Sequence, residues 1–298
     1  MDNRVEVREF LTSRRARVRP DDVGLPPGPR RRVPGLRRGE VALLANVSVE
    51  YYTRLERGAI AGASPEVLDA VAKALRLDEA ERAHLFDLAQ AASPVARPPR
   101  RRGTAQWTPH RSLQWALDAV TAGPAFVRNG RMDLLAANPL ARAFYKDVYD
   151  MPGSGPNLAR FTVLDARARE FHPDWDGAVD VVAQILRSEA ARDPRNKDLH
   201  DLVGELCTRS EEFAGRWSAH DVRHHGTGFK TFRHPVVGEL TVAYEGFEMA
   251  AEPGLTLTLY TAEPGSASEE ALRLLASWWA SESAVNADRA SEQPRTQS

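Results

Sequence analysis

One cysteine, Cys207, stands in 298 residues, so no disulfide can form within the chain and packing has to supply its stability. Long apolar runs are absent too: none approaches the roughly 18 residues that a membrane span needs. The start, MDNRVEVREF, is charged where a secretory leader carries an apolar stretch. These shortages lead to the expectation of a cytoplasmic protein without membrane attachment. A nucleophile elbow, a phosphate-cradling glycine loop and a paired catalytic glycine motif are also missing. Asp221 beside His220 and His224 is therefore not read as an acid–base site. Histidines at i and i+4, such as His220 and His224, can hold zinc. Here HDVRHHGTG breaks into a glycine-containing loop, and no second Cys/His cluster, with or without His225 and His234, completes a closed site. The expectation is no enzyme, no metal and no cofactor.

Net charge is scarce, at −1, but its distribution is uneven. Residues 1–102 hold 20 Lys and Arg against 14 Asp and Glu, a surplus of six positive charges; the remaining 20 basic and 27 acidic residues leave seven negative. A basic N-terminal module suits a polyanion and an acidic C-terminal one does not. Hydrophobic residues make up 42%, with six Trp and ten Phe, which excludes a disordered chain. At roughly 100–200 residues per domain the length suggests two domains.

Helical spacing of Val7, Phe10 and Leu11 predicts a first helix over 3–17, ended by Pro20. The stretch from Pro20 to Gly35 has five prolines and three glycines and reads as a loop or arm, with Arg30, Arg31 and Arg32 in its middle placed to reach a phosphate strand or minor groove. A second helix over about 37–45 stops at Asn46, which tolerates the left-handed conformation of a helix stop. Ser48 caps a third that runs to Glu56 or Arg57, before Gly58. Ser64-Pro65 opens a fourth and Asp78 a fifth. The division expected is 1–92 as a helical domain, 93–109 as a linker rich in proline and arginine, 110–280 as a second domain and 281–298 as a disordered tail.

The second module opens with PAFVRNGRMDLLAAN, where Asn129-Gly130 between apolar stretches signals a two-residue hairpin with positive φ at both turn residues. Asn138-Pro139 then starts a helix through Tyr145. Further helices are predicted over 157–171, 175–191, 198–207 and 211–220. GFKTFRHPVV, GELTVAYEGFEM and GLTLTLYTAE read as strands, and a last helix covers 268–280. Two strands, a helical block, three strands and a helix indicate α+β with an antiparallel sheet.

In the basic module Val41, Ala45, Tyr52 and Leu55 fall inward, leaving Val49, Glu50, Tyr51 and Arg54 on the outside of helix three. VSVEYYTRLERG resembles the recognition helix of Cro-type helix-turn-helix domains, a likeness covering roughly residues 3–90. A major groove about 12 Å wide admits one such helix. The resemblance puts Val49 and Glu50 at the bases of double-stranded DNA, with Tyr51 beside them and Arg54 one turn later, counts the capping Ser48 among the DNA-binding residues, and leaves Arg37, Arg38 and Arg57 at phosphates. A small helical protein-interaction domain with a solvated face is the plainer alternative for the same scaffold. Leu43 and Leu44 stand where many relatives are polar, so either the arm or a second subunit is expected to cover helix two.

RRVPGLRRGEVALLANVSVEYYTRLERG, MDLLAANPLARAFY, NLARFTVLDARARE, HDVRHHGTGFKTFRHPVVGEL and YTAEPGSASEEALRLLAS resemble, in order, segments of MmyB-like transcription regulators. That resemblance implies a PAS-like ligand-binding domain behind the helix-turn-helix, with fatty-acid-like or other small apolar molecules as ligands. Leu134, Phe144, Phe161, Trp175 and Trp217 are candidate walls for such a ligand. Asn138, Arg160, His220 and Arg223 are candidate anchors for its carboxylate or carbonyl. A homodimer is expected, because one recognition helix reads too few base pairs for specificity. The alternative function is a helix-turn-helix protein whose second domain docks a protein partner.

Overall fold

Helix α1 (Asn3–Arg17) turns Val7, Phe10 and Leu11 fully inward, as their i, i+3, i+4 spacing dictates. The structure, a computed structural model, describes residues 3–26, 33–93, 107–153, 155–219 and 226–292; Arg30, Arg31 and Arg32 lie outside the described residues. A single 3₁₀ turn at Asp21–Val23 follows α1. Helix α2 (Arg38–Leu44) is opened by Glu40, whose carboxylate accepts from the Arg37 N–H at 2.6 Å. Asn46 adopts φ 53°, and the chain turns into α3 (Val49–Glu56), capped by the Ser48 hydroxyl, which accepts from Tyr51 N at 3.0 Å. Helix α4 (Pro65–Ala74) starts at the Ser64 cap, and α5 (Glu79–Ala92) at a reciprocal Asp78–Glu81 capping box. Leu55, Tyr52, Leu68, Val71 and Leu85 complete a core with the α1 face.

The C-terminal segment begins with α6 (Arg111–Asp118), capped by His110 Nδ1. Strands β1 (Ala125–Asn129) and β2 (Leu134–Ala137) form the predicted hairpin, but not with the predicted turn. Gly130 does not take positive φ; Met132 does, at 66°. The Asn129 side chain decides this: its Oδ1 accepts from Arg131 N at 2.9 Å and Asp133 N at 3.0 Å, which organises a longer loop. Helices α7 (Pro139–Phe144) and α8 (Lys146–Tyr149) follow. The single helix expected over 157–171 is two, α9 (Leu158–Leu164) and α10 (Arg167–Phe171). Asp165 breaks it by going extended and accepting from Arg167 N at 3.0 Å.

Helices α11 (Trp175–Arg192), α12 (Lys197–Arg209) and α13 (Glu211–Ser218) precede β3 (Thr227–His234), β4 (Gly238–Glu248), β5 (Leu255–Thr261) and α14 (Ala267–Glu292). The last helix runs past Ala280, where a disordered tail was expected to begin. The five strands make one antiparallel sheet in the order β2-β1-β5-β4-β3, so the fold is a helical N-terminal region plus an α+β C-terminal one.

Packing divides the chain into two units, and not along the linear 93–109 boundary. The first comprises Met1–Arg100 and Asp180–His224, the second Arg101–Val179 and His225–Ser298. Most of α11, with α12 and α13, therefore belongs with the N-terminal helices. Ala191, at 1% exposure, sits in the same core as Val7, Phe10 and Leu88.

Candidate functional site: the outer side of α3 and an aromatic sheet face

On α3 the buried side is Tyr52, Leu55 and Glu56, and the opposite side carries exposed Val49, Glu50 and Arg54 beside half-buried Tyr51. The Arg54 guanidinium lies 5.1 Å from the Tyr51 ring centroid, a stacking that limits the rotamers of a long exposed side chain. Ser48 and Arg57 flank this face and are exposed, as is Arg37. Arg38 is tied more firmly: its Nε pairs with a carboxylate oxygen of Glu56 while its side chain stays half exposed. The other Glu56 oxygen accepts from Arg15 Nε at 2.7 Å, and the Glu56 side chain is 1% exposed. One buried carboxylate thus joins α1, α2 and α3. Hydrogen bonding and charge from Glu56 raise the Arg38 pKa above its ordinary value, keeping the guanidinium charged. Leu43 and Leu44, for which a cover was expected, are exposed among the described residues.

In the second unit, strand register decides which side chains share a face of the sheet. Phe126 pairs with Thr258 and Arg128 with Thr256, while Tyr260 pairs with Tyr244 and Lys230 with Val242. Paired residues share a face, so these side chains and Phe232 stand on the same side of the sheet. Helices α7, α9 and α10 lay Phe144, Tyr145, Phe161 and Phe171 against that side. Phe144 and Phe232 centroids are 5.0 Å apart, Phe171 and Phe232 5.2 Å, and Phe161 and Phe171 5.8 Å. The Tyr145 and Tyr260 hydroxyls meet at 2.7 Å, and burial pushes Tyr260 up to about 12.

Two candidate walls, Phe144 and Phe161, belong to this cluster. Leu134 is buried on β2, and Trp175 donates to the Thr162 carbonyl at 2.8 Å under the Arg169 guanidinium. Trp217 is elsewhere: it lies in the first unit, stacked on Phe213 at 5.9 Å and covered by Arg187. Asn138 is wholly occupied by the fold. Its Oδ1 accepts from Ala125 N and Ala141 N, and its Nδ2 donates to the Val120 and Gly123 carbonyls, which leaves no donor for a ligand. Arg160 is half-buried on α9. His220 and Arg223 lie outside the described residues.

Sequence reasoning passed over two cations on the face, Arg128 and Lys230. The Lys230 ammonium sits 4.5 Å from the Tyr244 ring centroid, and among the described residues no carboxylate forms an ion pair with it. Burial, then the Arg128 charge, pulls Lys230 down to about 8. Burial, then the Lys230 charge, takes His172 down to about 4. The signal was available: period-two alternation in AFVRN and GFKTFRHP puts Arg128 and Lys230 on the same side as Phe126 and Phe232.

Residues 109–275 match the family model of the MmyB-like transcription regulator ligand binding domain, more than half of the chain. The chain belongs to the MmyB-like transcription regulators. Residues 6–85 of this regulator match a helix-turn-helix domain model. Among curated proteins none matches it. A helix-turn-helix joined to a ligand-binding domain makes this MmyB-like regulator a ligand-sensing, DNA-binding transcription regulator; such families are generally not enzymes. No helix among the described residues is long and apolar enough to cross a membrane.

Proposed function

We propose that this regulator is a cytoplasmic homodimer that reads duplex DNA with Val49, Glu50, Tyr51 and Arg54. Its second unit takes a small amphipathic acid of the fatty-acid type. The observation that carries the ligand class is Lys230: a half-buried ammonium 4.5 Å from the Tyr244 ring centroid, with no carboxylate paired to it among the described residues. Burying an unpaired cation is costly, and a ligand carboxylate near Lys230 and Arg128 offsets that cost. The Phe144, Phe171 and Phe232 rings suit an apolar chain. On the DNA side, arginine takes guanine bidentately and glutamate accepts from cytosine, while the phosphate-facing Arg37, Arg38 and Arg57 set register.

Titration calorimetry with decanoate and decanol tests the ligand class. Decanoate is expected to bind the wild type at least tenfold more tightly than decanol, and Lys230→Met to erase that preference, about 1.4 kcal/mol. Equal affinity for acid and alcohol in the wild type rejects the acid. A second unit indifferent to both points instead to a docked protein partner. For DNA, Arg54→Ala should cost about 1–3 kcal/mol on a duplex selected from a random pool, and relax one base position. Selected sites should carry two-fold half-sites centred roughly 34 Å apart; asymmetric single sites would count against the dimer.

A further inference from the structure

Arg187 on α11 is 1% exposed and pairs with Glu6 on α1, itself 5% exposed. The same guanidinium donates to the Trp217 carbonyl and covers the Trp217 ring at 4.3 Å. One turn on, Ala191 enters the core built by α1 to α5. Its neighbour Arg192 reaches Asp87 on α5 at 3.2 Å. Arg187, Ala191, Arg192 and Trp217 all fall within the residues matched by the ligand-binding model, and Glu6 within those matched by the helix-turn-helix model. Two family segments thus share one core.

We propose that α11 to α13 form an intramolecular clasp on the DNA-binding helices, latched by Arg187 and Glu6, through which ligand state acts on α3. The proposal rests on the reading that the second unit takes a ligand. Burial makes the latch selective. A cation and an anion this far from water are held only while both are in register, so a shift of α11 exchanges one discrete arrangement for another. The continuation is also built. Helix α1 carries Arg15, which meets Glu56 of α3 at 2.7 Å, and Glu56 holds Arg38 of α2. A displacement of α1 therefore reaches the elements that face DNA without any contact between ligand and α3. Helix α11 is continuous from Trp175, where it belongs to the second unit, to Arg192, where it belongs to the first.

The test is hydrogen–deuterium exchange on the full chain with decanoate as probe, alongside duplex binding. In the wild type, decanoate is expected to change the exchange of α11 and α1 together. In Arg187→Met, α1 amides are expected to exchange at least tenfold faster without probe, and the decanoate effect to stop at α11. Unchanged α1 protection in that variant overturns the clasp. So does a decanoate effect that still reaches α1. If decanoate fails to bind the wild type, the ligand reading falls, while the probe-free comparison still decides the clasp. Should Arg187→Met not fold, the exposed pair serves: Arg192→Glu is expected to loosen α1 and α5 together, and Arg192→Glu with Asp87→Arg to restore them. Loosening of α5 without α1, or no restoration, counts against the proposal.

Discussion

Arg15 Nε lies 2.7 Å from Glu56 Oε1, and the acceptor side chain is 1% exposed. Helix α1 is thereby anchored to α3, the helix proposed to read DNA, through a carboxylate removed from water. Removing one partner of a buried pair leaves the other charge uncompensated. Glu56→Gln is expected to lower the stability of the first unit by about 3 kcal/mol, measured by urea unfolding. A change below about 0.5 kcal/mol, the usual range for an exposed pair, would show that the pair is solvated.

Asn138 fills all four of its hydrogen-bonding positions within the fold. Asn138→Ala strands two backbone carbonyls and two N–H groups, at a cost of about 2–4 kcal/mol. Its effect should appear in the melting of the second unit, while decanoate affinity of the folded fraction stays unchanged. A loss of affinity without a loss of stability would restore Asn138 as an anchor.

His172 is expected to make the second unit acid-sensitive. Its folded pKa, about 4, lies below the ordinary 6.5 because burial and then the Lys230 charge disfavour the imidazolium. Between these values the unfolded chain binds the proton and the folded one does not, so stability falls as pH drops from about 6.5 toward 4. His172→Phe keeps a ring beside Phe171, whose centroid is 5.1 Å away, and should flatten that slope. Lys230 has the same sign at higher pH: its cost to folding is present below about 8 and is relieved as pH rises toward 10.5. An identical pH profile for wild type and His172→Phe would remove His172 from this account.

Gly58 has φ 92°, and a Cβ there would come within 2.6 Å of the Arg4 carbonyl oxygen. Gly58→Ala forces either the left-handed backbone or the close approach of α1 to give way. A loss of about 1–3 kcal/mol is expected, with α1 amides exchanging faster. A neutral effect would mean that α1 moves aside freely.

Local chemistry accounts for what was legible. Ser48, Ser64 and Asp78 each hydrogen-bond within three residues, so the starts of α3, α4 and α5 could be read from short motifs. The exposed face of α3 followed from apolar periodicity around Tyr52 and Leu55. The break at Asp165 and the loop after Asn129 were missed because each turns on which of several backbone donors a short polar side chain chooses.

By itself the sequence determined the helix-turn-helix, the α+β character and the family, because caps, periodicities and ordered motifs are properties of neighbouring residues. Only the tertiary structure decided that Arg128 and Phe126 of β1 share a face with Lys230 and Phe232 of β3, that Asn138 is spent on the fold, and that Arg187 finds Glu6 across 181 positions of chain. Strand order and long-range ion pairing depend on how whole elements bury their apolar surfaces against one another, and no local pattern records which distant partner completes that burial.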